Sequence, residues 1–299
     1  MNIQWYPGHM TKTRRQMEGD VKFVDLVTEM VDARIPVSSR NPDIDAICGN
    51  KPRLIVLNRA DQADPVATAA WSACFRSQGF AVLETDAKTG KGMNRFSAVV
   101  KQALREKIAA WKAKGQVGRP VRVMVVGIPN VGKSTFINQA ARRKSAKVGD
   151  RPGVTRGKQW VAVDSGLDLL DTPGILWPRF EDEITGLHLA YTGAVKDEIM
   201  DTETLACHLL EELAERYPQA LRERYKLTFV GKTGDEVGLA YGCGLLEQAA
   251  VKRGFRISGG EADTERMARV LLDEFRGGKL GRFTLEQPPD SGTVSREGE

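Results

Sequence analysis

Cysteine is scarce in this 299-residue chain. The four present (Cys48, Cys74, Cys207 and Cys243) are scattered with no C-x-x-C pair. That excludes a disulfide-framework secreted scaffold and predicts reduced, mainly buried thiols, as in a cytoplasmic protein. Long hydrophobic runs are also missing. The longest, around "VRVMVVGIP", is far too short to cross a bilayer, so no membrane partner is expected. The first residues, "MNIQWYPGHM", lack the charged-then-apolar pattern of a signal peptide. Net charge is small, +5, but the balance is uneven along the chain. Through Phe180 there are 29 Lys plus Arg against 16 Asp plus Glu; from Glu181 onward the count is 15 against 23. A basic first part is thus joined to an acidic second part, and the first part would draw a polyanion such as a nucleic acid.

What is present is alternation. Apolar, β-branched runs at "FVDLVTEMV", "RLIVLN", "FAVLET", "VRVMVVG", "QWVAVD" and "LDLLD" read as six strands, most of them separated by helical stretches. This predicts an α/β domain with a mostly parallel sheet covered on both faces. "QWVAVDSGLDLLD", with Ser165-Gly166 at its centre, predicts an antiparallel hairpin within that sheet. Beyond "DTPGILWPRF" the pattern becomes helical, and "QPPDSGTVSREGE" has the composition of a disordered tail. The expected divisions are an α/β domain over 1–178, a small helical domain over 179–285 and a tail over 286–299.

"GIPNVGKST", Gly127 to Thr135, follows a strand and opens a helix, the context in which G-x-x-x-x-G-K-[ST] holds nucleotide phosphates. Asn130, Val131, Gly132, Lys133, Ser134 and Thr135 are the candidate phosphate contacts. Glycine lets the backbone N–H groups turn inward, Lys133 reaches the β/γ-phosphates, and Ser134 offers a hydroxyl to Mg²⁺. In "LLDTPG", Asp171 ends a strand as a second Mg²⁺ candidate, and Gly174 can offer its N–H to the γ-phosphate. Thr155, in "RPGVTRG" between these motifs, is a third candidate for the metal. "NRAD", at Asn58, Arg59, Ala60 and Asp61, reads as a guanine-recognising loop. Asp61 can accept from guanine N1–H and the exocyclic amine together, whereas adenine would leave that carboxylate unpaired. "TDAKTGKG" ends the next strand, so the Ala87 N–H could meet guanine O6 and Lys88 could stack on the base.

The base-reading motifs precede the phosphate loop, the reverse of the ordinary order. The series "NRAD", "DAK", "GIPNVGKS", "PGVT", "DTPGI", with "WYPGHM" and "DARIP", resembles circularly permuted GTPases of the YlqF/RbgA type, bacterial factors of large-ribosomal-subunit assembly. The resemblance covers nearly all of the chain through Glu286. It implies a permuted P-loop GTPase domain, then a helical RNA-binding domain. It also implies GTP and GDP as ligands, and a large-subunit precursor and its rRNA as partner. Permutation keeps the spatial site while changing the chain path, because domain termini lie close together. It also puts "DTPGI" next to the helical domain, so loss of γ-phosphate could re-aim that domain.

Two departures from the usual motifs stand out. Arg59 replaces the usual Lys of the guanine motif, and its stem can still cover the base. Ile175 occupies the position from which many GTPases orient the attacking water, so turnover of the isolated protein should be slow. The resemblance points to His9 as the residue that completes the catalytic site with Lys133, by orienting a water or shuttling a proton. It also points to Asn130 as a possible K⁺ ligand, where a monovalent cation would neutralise phosphate charge. His188 and His208 read as structural. "TKTRR" and "RRKSAKVGDRPGVTRGK" are the dense basic stretches that would hold RNA. The expected protein is a monomeric cytoplasmic GTPase that binds the large-subunit precursor in the GTP state and leaves on hydrolysis. The alternatives are a nucleotide-regulated RNA scaffold with negligible hydrolysis, a P-loop ATPase, or a tRNA-modification GTPase; the last lacks cofactor-handling residues.

Overall fold

Each apolar run becomes a strand: β1 Leu26–Asp32, β2 Arg53–Asn58, β3 Ala81–Glu84, β4 Val121–Gly127, β5 Trp160–Asp164 and β6 Leu167–Asp171. The structure is a computed structural model, and it describes residues 9–145, 160–164, 166–180, 182–229 and 239–289. The strands form one sheet in the order β3-β2-β1-β4-β6-β5. All neighbours are parallel except β5 and β6, which pair antiparallel as the hairpin pattern predicts. All seven residues of β1 are buried, as a central parallel strand with covered faces requires.

The helices are α1 His9–Asp20, α2 Asp43–Cys48, α3 Pro65–Ser77, α4 Phe96–Ala103, α5 Arg105–Ala113 and α6 Lys133–Ser145 in the α/β part. The second part contributes α7 Glu183–Tyr191, α8 Thr202–Arg216, α9 Pro218–Tyr225, α10 Leu239–Lys252 and α11 Thr264–Arg276. Local chemistry sets their starts. Asp64 caps α3 by accepting from the N–H groups of Val66 and Ala67, with Pro65 in the first turn, where its missing N–H costs nothing. Asp201 and Asp263 cap α8 and α11 in the same way.

Two sequence-based expectations need correction. Cys207 and Cys243 are paired in a disulfide, with Cα atoms 4.7 Å apart, while Cys48 and Cys74 are free. The partners lie 36 residues apart, and only the crossing of α8 and α10 joins them. That crossing is close: a Cβ on Gly242 would fall 2.0 Å from the Cys207 carbonyl oxygen. The second correction concerns Glu286, expected to open a disordered tail. Its carboxylate accepts from Ser38 N at 3.0 Å and from Val37 N, and its carbonyl accepts from Trp71 Nε1 at 2.9 Å. The chain therefore returns to the α/β part after α11. Phe283, Thr284 and Leu285 in this returning strap are buried.

"DARIP" explains how the two parts are joined. Asp32, at the end of β1, takes the Arg34 guanidinium in a fork, at 3.0 Å from Nε and 2.8 Å from Nη2. The remaining arm of Arg34 donates to the Phe275 carbonyl at the end of α11, at 3.0 Å. Arg34 is 1% exposed, so its charge is acceptable only because the carboxylate and the carbonyl satisfy it. Burial pushes the Asp32 carboxyl up, but Arg34 and then Arg59 outweigh this and hold it below the usual carboxylate range.

Candidate nucleotide site

The motifs converge at the carboxyl edge of the parallel strands, where open α/β sheets place ligands. Asn58 ends β2, Glu84 ends β3, Gly127 ends β4 and Asp171 ends β6. The Asn58 amide bridges the base-reading and phosphate-binding segments. Its Nδ2 donates to the Val131 carbonyl at 2.8 Å, and its Oδ1 accepts from Ala87 N at 3.0 Å and Thr85 Oγ1 at 3.2 Å. Segments 73 residues apart in sequence are thereby held by one side chain. Gly132 (φ +102°) permits this approach, because a Cβ there would sit 2.5 Å from Asn58 Nδ2.

The base side shows four further placements. Asp61 is exposed at the loop, and Lys88 is exposed beyond Ala87. The Ala87 N–H, expected to face guanine O6, is directed at Asn58 Oδ1. The Arg59 guanidinium is held by other segments of the chain. The residue's backbone is left-handed (φ +58°), and its guanidinium donates to Asn130 O at 2.9 Å and Arg276 O at 3.1 Å. It also lies 3.6 Å from Asp32 Oδ2. Arg59 is thus a strut between the base loop, the phosphate loop and the end of α11.

On the phosphate side, Lys133 Nζ folds back onto its own loop, donating to Gly127 O at 3.1 Å and Ile128 O at 2.7 Å. Burial lowers its pKa to about 8, against the opposing pull of the Asp171 carboxylate. Asp171 is half-buried; desolvation raises its pKa, with Lys133 pulling the other way. Ser134 and Thr135 are exposed in the first turn of α6. "DTPG" crosses directly over the phosphate loop: a Cβ on Gly174 would meet Pro129 at 2.7 Å and Lys133 Nζ at 2.8 Å. Asn130, in a left-handed conformation (φ +58°), donates its Nδ2 to the Gly193 carbonyl at 2.7 Å. The phosphate loop therefore touches the turn after α7.

Ile175 is 1% exposed and turned into the core, so it offers nothing to a water. His9 is the first residue of α1, and its side chain lies outside the described residues, as do Thr155 and the basic stretch 146–159. Among the described residues no three His, Cys, Asp or Glu side chains gather as a metal cage. A carboxylate (Asp171) and a hydroxyl (Ser134) beside phosphate oxygens are nevertheless the hard oxygen donors that Mg²⁺ takes, because it retains waters and binds through few protein ligands.

A chain-wide comparison gives 46% identity over 292 residues with ribosome biogenesis GTPase A of Bacillus cereus, covering 98% of this chain and 96% of that protein. The chain belongs to the ribosome biogenesis GTPase A family. The family model described as a 50S ribosome-binding GTPase matches residues 122–228. Mitochondrial ribosome-associated GTPase 1 of Mus musculus is 34% identical, over 95% of this chain and 90% of its own. The crystal structure of GNP-bound YlqF from T. maritima is 28% identical with a TM-score of 0.63, covering 93% of this chain and 99% of that one. In this GTPase family member, the segments that the motifs single out as phosphate and base loops lie together at one edge of the sheet. Motif spacing did not reveal the Arg34 contact with Phe275 or the strap's contacts with the base loop, whose partners lie more than 200 residues apart.

One more surface separates from the nucleotide site. A cavity of about 700 Å³ opens at the opposite end of the sheet, lined by Lys101, Arg105, Lys112 and Arg119 around Trp111 and Val121. The Arg119 guanidinium lies 4.2 Å from the Trp111 ring centroid. Residues 101–122 carry seven Lys or Arg against the single acid Glu106, a cluster that the sequence reading passed over.

Proposed function

We propose that the chain binds GTP at this edge and hydrolyses it slowly by itself. Binding the large ribosomal-subunit precursor speeds hydrolysis, which releases the protein. The observation that carries this reading is the Asn58 amide, bonded at once to Val131 of the phosphate loop and Ala87 of the base loop. A single purine nucleotide can occupy both segments only if they are fixed in this relation.

In this reading Asp61 reads the guanine edge. Lys133 leaves its own carbonyls for the β/γ-phosphates; its binding is a charge-assisted exchange of partners rather than a new burial. Mg²⁺, when bound by Ser134 and Asp171, neutralises phosphate charge. Gly174 senses the γ-phosphate, and "DTPG" transmits its loss to the helical part through the chain that follows. His9 and the partner supply what Ile175 lacks. A K⁺ ion at Asn130 requires only its side-chain oxygen, since Nδ2 already faces Gly193. The basic surface, including the Lys101–Arg119 cavity, meets rRNA.

Two measurements test this. Asp61→Asn should weaken GTP by about 100-fold or more and admit xanthosine triphosphate, because the carboxylate's two acceptor contacts are replaced by a mismatch. Unchanged guanine selectivity removes Asp61 as the reader. Co-sedimentation with large subunits should be retained with a non-hydrolysable GTP analogue and lost with GDP; equal association in both states defeats the release step.

A further inference from the structure

The base-reading loop is held from outside its own domain. Of the six residues Arg59 to Asp64, five are hydrogen-bonded to residues 276–284. Arg59 donates to Arg276 O at 3.1 Å. Arg282 donates through Nη2 to Ala60 O at 2.9 Å and through Nε to Ala63 O at 2.8 Å. Phe283 N donates to Gln62 O at 2.9 Å, and Asp64 N donates to Thr284 Oγ1 at 3.2 Å. The sixth, Asp61, is the exposed residue of the run.

The other side of the strap is fixed to the helical part. Phe283 stacks on Phe275 of α11 with centroids 6.1 Å apart, and it meets the Tyr217 ring edge-on at 5.0 Å. Tyr217 Oη donates to Thr284 O at 2.9 Å. At the start of the strap, Gly278 adopts φ +70° against Gln62, where a Cβ would come within 2.8 Å of the Gln62 side chain. The loop carbonyls at Ala60, Gln62 and Ala63 thus have partners supplied by the helical part.

We propose that this strap positions the guanine-reading loop, with Arg282 as the principal positioning residue. Displacing α11 and the strap from the α/β part then speeds guanine-nucleotide release. The helical part would be an exchange lever as well as a docking module, and a partner that lifts it would empty the site. The proposal rests on Asp61 being the guanine reader.

The test uses the full chain and measures dissociation of fluorescent GDP and the affinity ratio of GDP to inosine diphosphate. Inosine lacks the exocyclic amine, so the ratio reports how well the Asp61 carboxylate is placed. Arg282→Ala should raise the GDP dissociation rate about tenfold, the loss of two charge-assisted contacts. It should also lower the GDP-to-IDP ratio, and Arg282→Lys should recover part of both. Gly278→Ala reaches the same loop through Gln62 and should shift the ratio in the same direction, which keeps the test open if Arg282→Ala does not fold. A ratio equal to wild type in the folded variants, even with both nucleotides weakened together, overturns the proposal, because loose packing alone weakens both alike. If Asp61→Asn fails to change base preference, the guanine reading itself is at fault, and that result is distinct from a failure of the strap variants.

Discussion

The base-reading and phosphate-binding halves of the site are built to different degrees. On the base side, Asn58 is 3% exposed and bonded in three directions, and the loop beyond it is tied to the strap. On the phosphate side, Lys133 rests on its own loop, and the residue after "DTPG" is a buried isoleucine. Under the proposed function, the difference teaches that this chain invests its fixed hydrogen bonds in recognising a nucleotide. The groups that would move during turnover are left with exchangeable partners. A switch needs that division: a rigid reader for the invariant base, and a phosphate end whose contacts change when one phosphate leaves.

The sharpest way to break the comparison is at Asn58. Asn58→Ala leaves the Val131 carbonyl and the Thr85 and Ala87 donors without that partner. Nucleotide affinity should fall on the order of 100-fold, while turnover at saturating GTP changes little. Titration of both diphosphate and triphosphate checks this, and a variant with normal affinity would show that the bridge is dispensable. Lys133→Ala attacks the other half. It should weaken GTP about 10- to 100-fold and lower turnover as well, because its contact is with the reacting end. Single-turnover kinetics separate the two variants.

A smaller effect is expected from Ile175→Gln. It restores the residue type that often handles water, yet should leave isolated turnover within about threefold of wild type and cost roughly 1–3 kcal/mol of stability, since the side chain enters the core. A large gain in turnover would show that the position can reach the site.

The smallest effect sharpens the link between strap and base side through pH. His188 joins the strap to the helical part: Nδ1 lies 2.9 Å from Glu286 and 3.2 Å from Ser38 Oγ, and Nε2 is 3.2 Å from Glu212, itself 3.8 Å from Arg216. Burial alone would lower its pKa, but the two carboxylates overcome this and raise it to about 9. A raised histidine pKa means that the folded state holds the proton more tightly. The stabilisation is therefore complete below the ordinary value of 6.5 and is lost as pH rises through about 9. Unfolding free energy should drop by about 1–2 kcal/mol across that window, and His188→Gln should flatten the decline. A slope in the variant equal to wild type would remove His188 as its source.

The α/β alternation, the hairpin and the phosphate loop were all legible because each is written in a local period or spacing. The place of "NRAD" at the end of a strand was legible too, but the partners of the Arg59 guanidinium were not. Its direction is set by Asp32, Asn130 and Arg276, drawn from three distant segments. His188 read as structural, and its two carboxylate partners came 24 and 98 residues later. The Cys207–Cys243 pairing was missed because four scattered thiols carry no spacing signal, whereas a helix crossing at Gly242 does not depend on sequence proximity.

By itself the sequence determined the elements, their caps, the order of motifs and so the kind of nucleotide chemistry. These follow from short-range sterics and from side-chain types that only certain reactions need. Tertiary structure alone decided which side chains were already spoken for: Arg59 as a strut, Arg34 as a buried fork, and residues 278–286 as a strap against the base loop. The physical reason is that a long polar side chain takes whichever partners burial leaves within reach, and burial is a property of the folded chain.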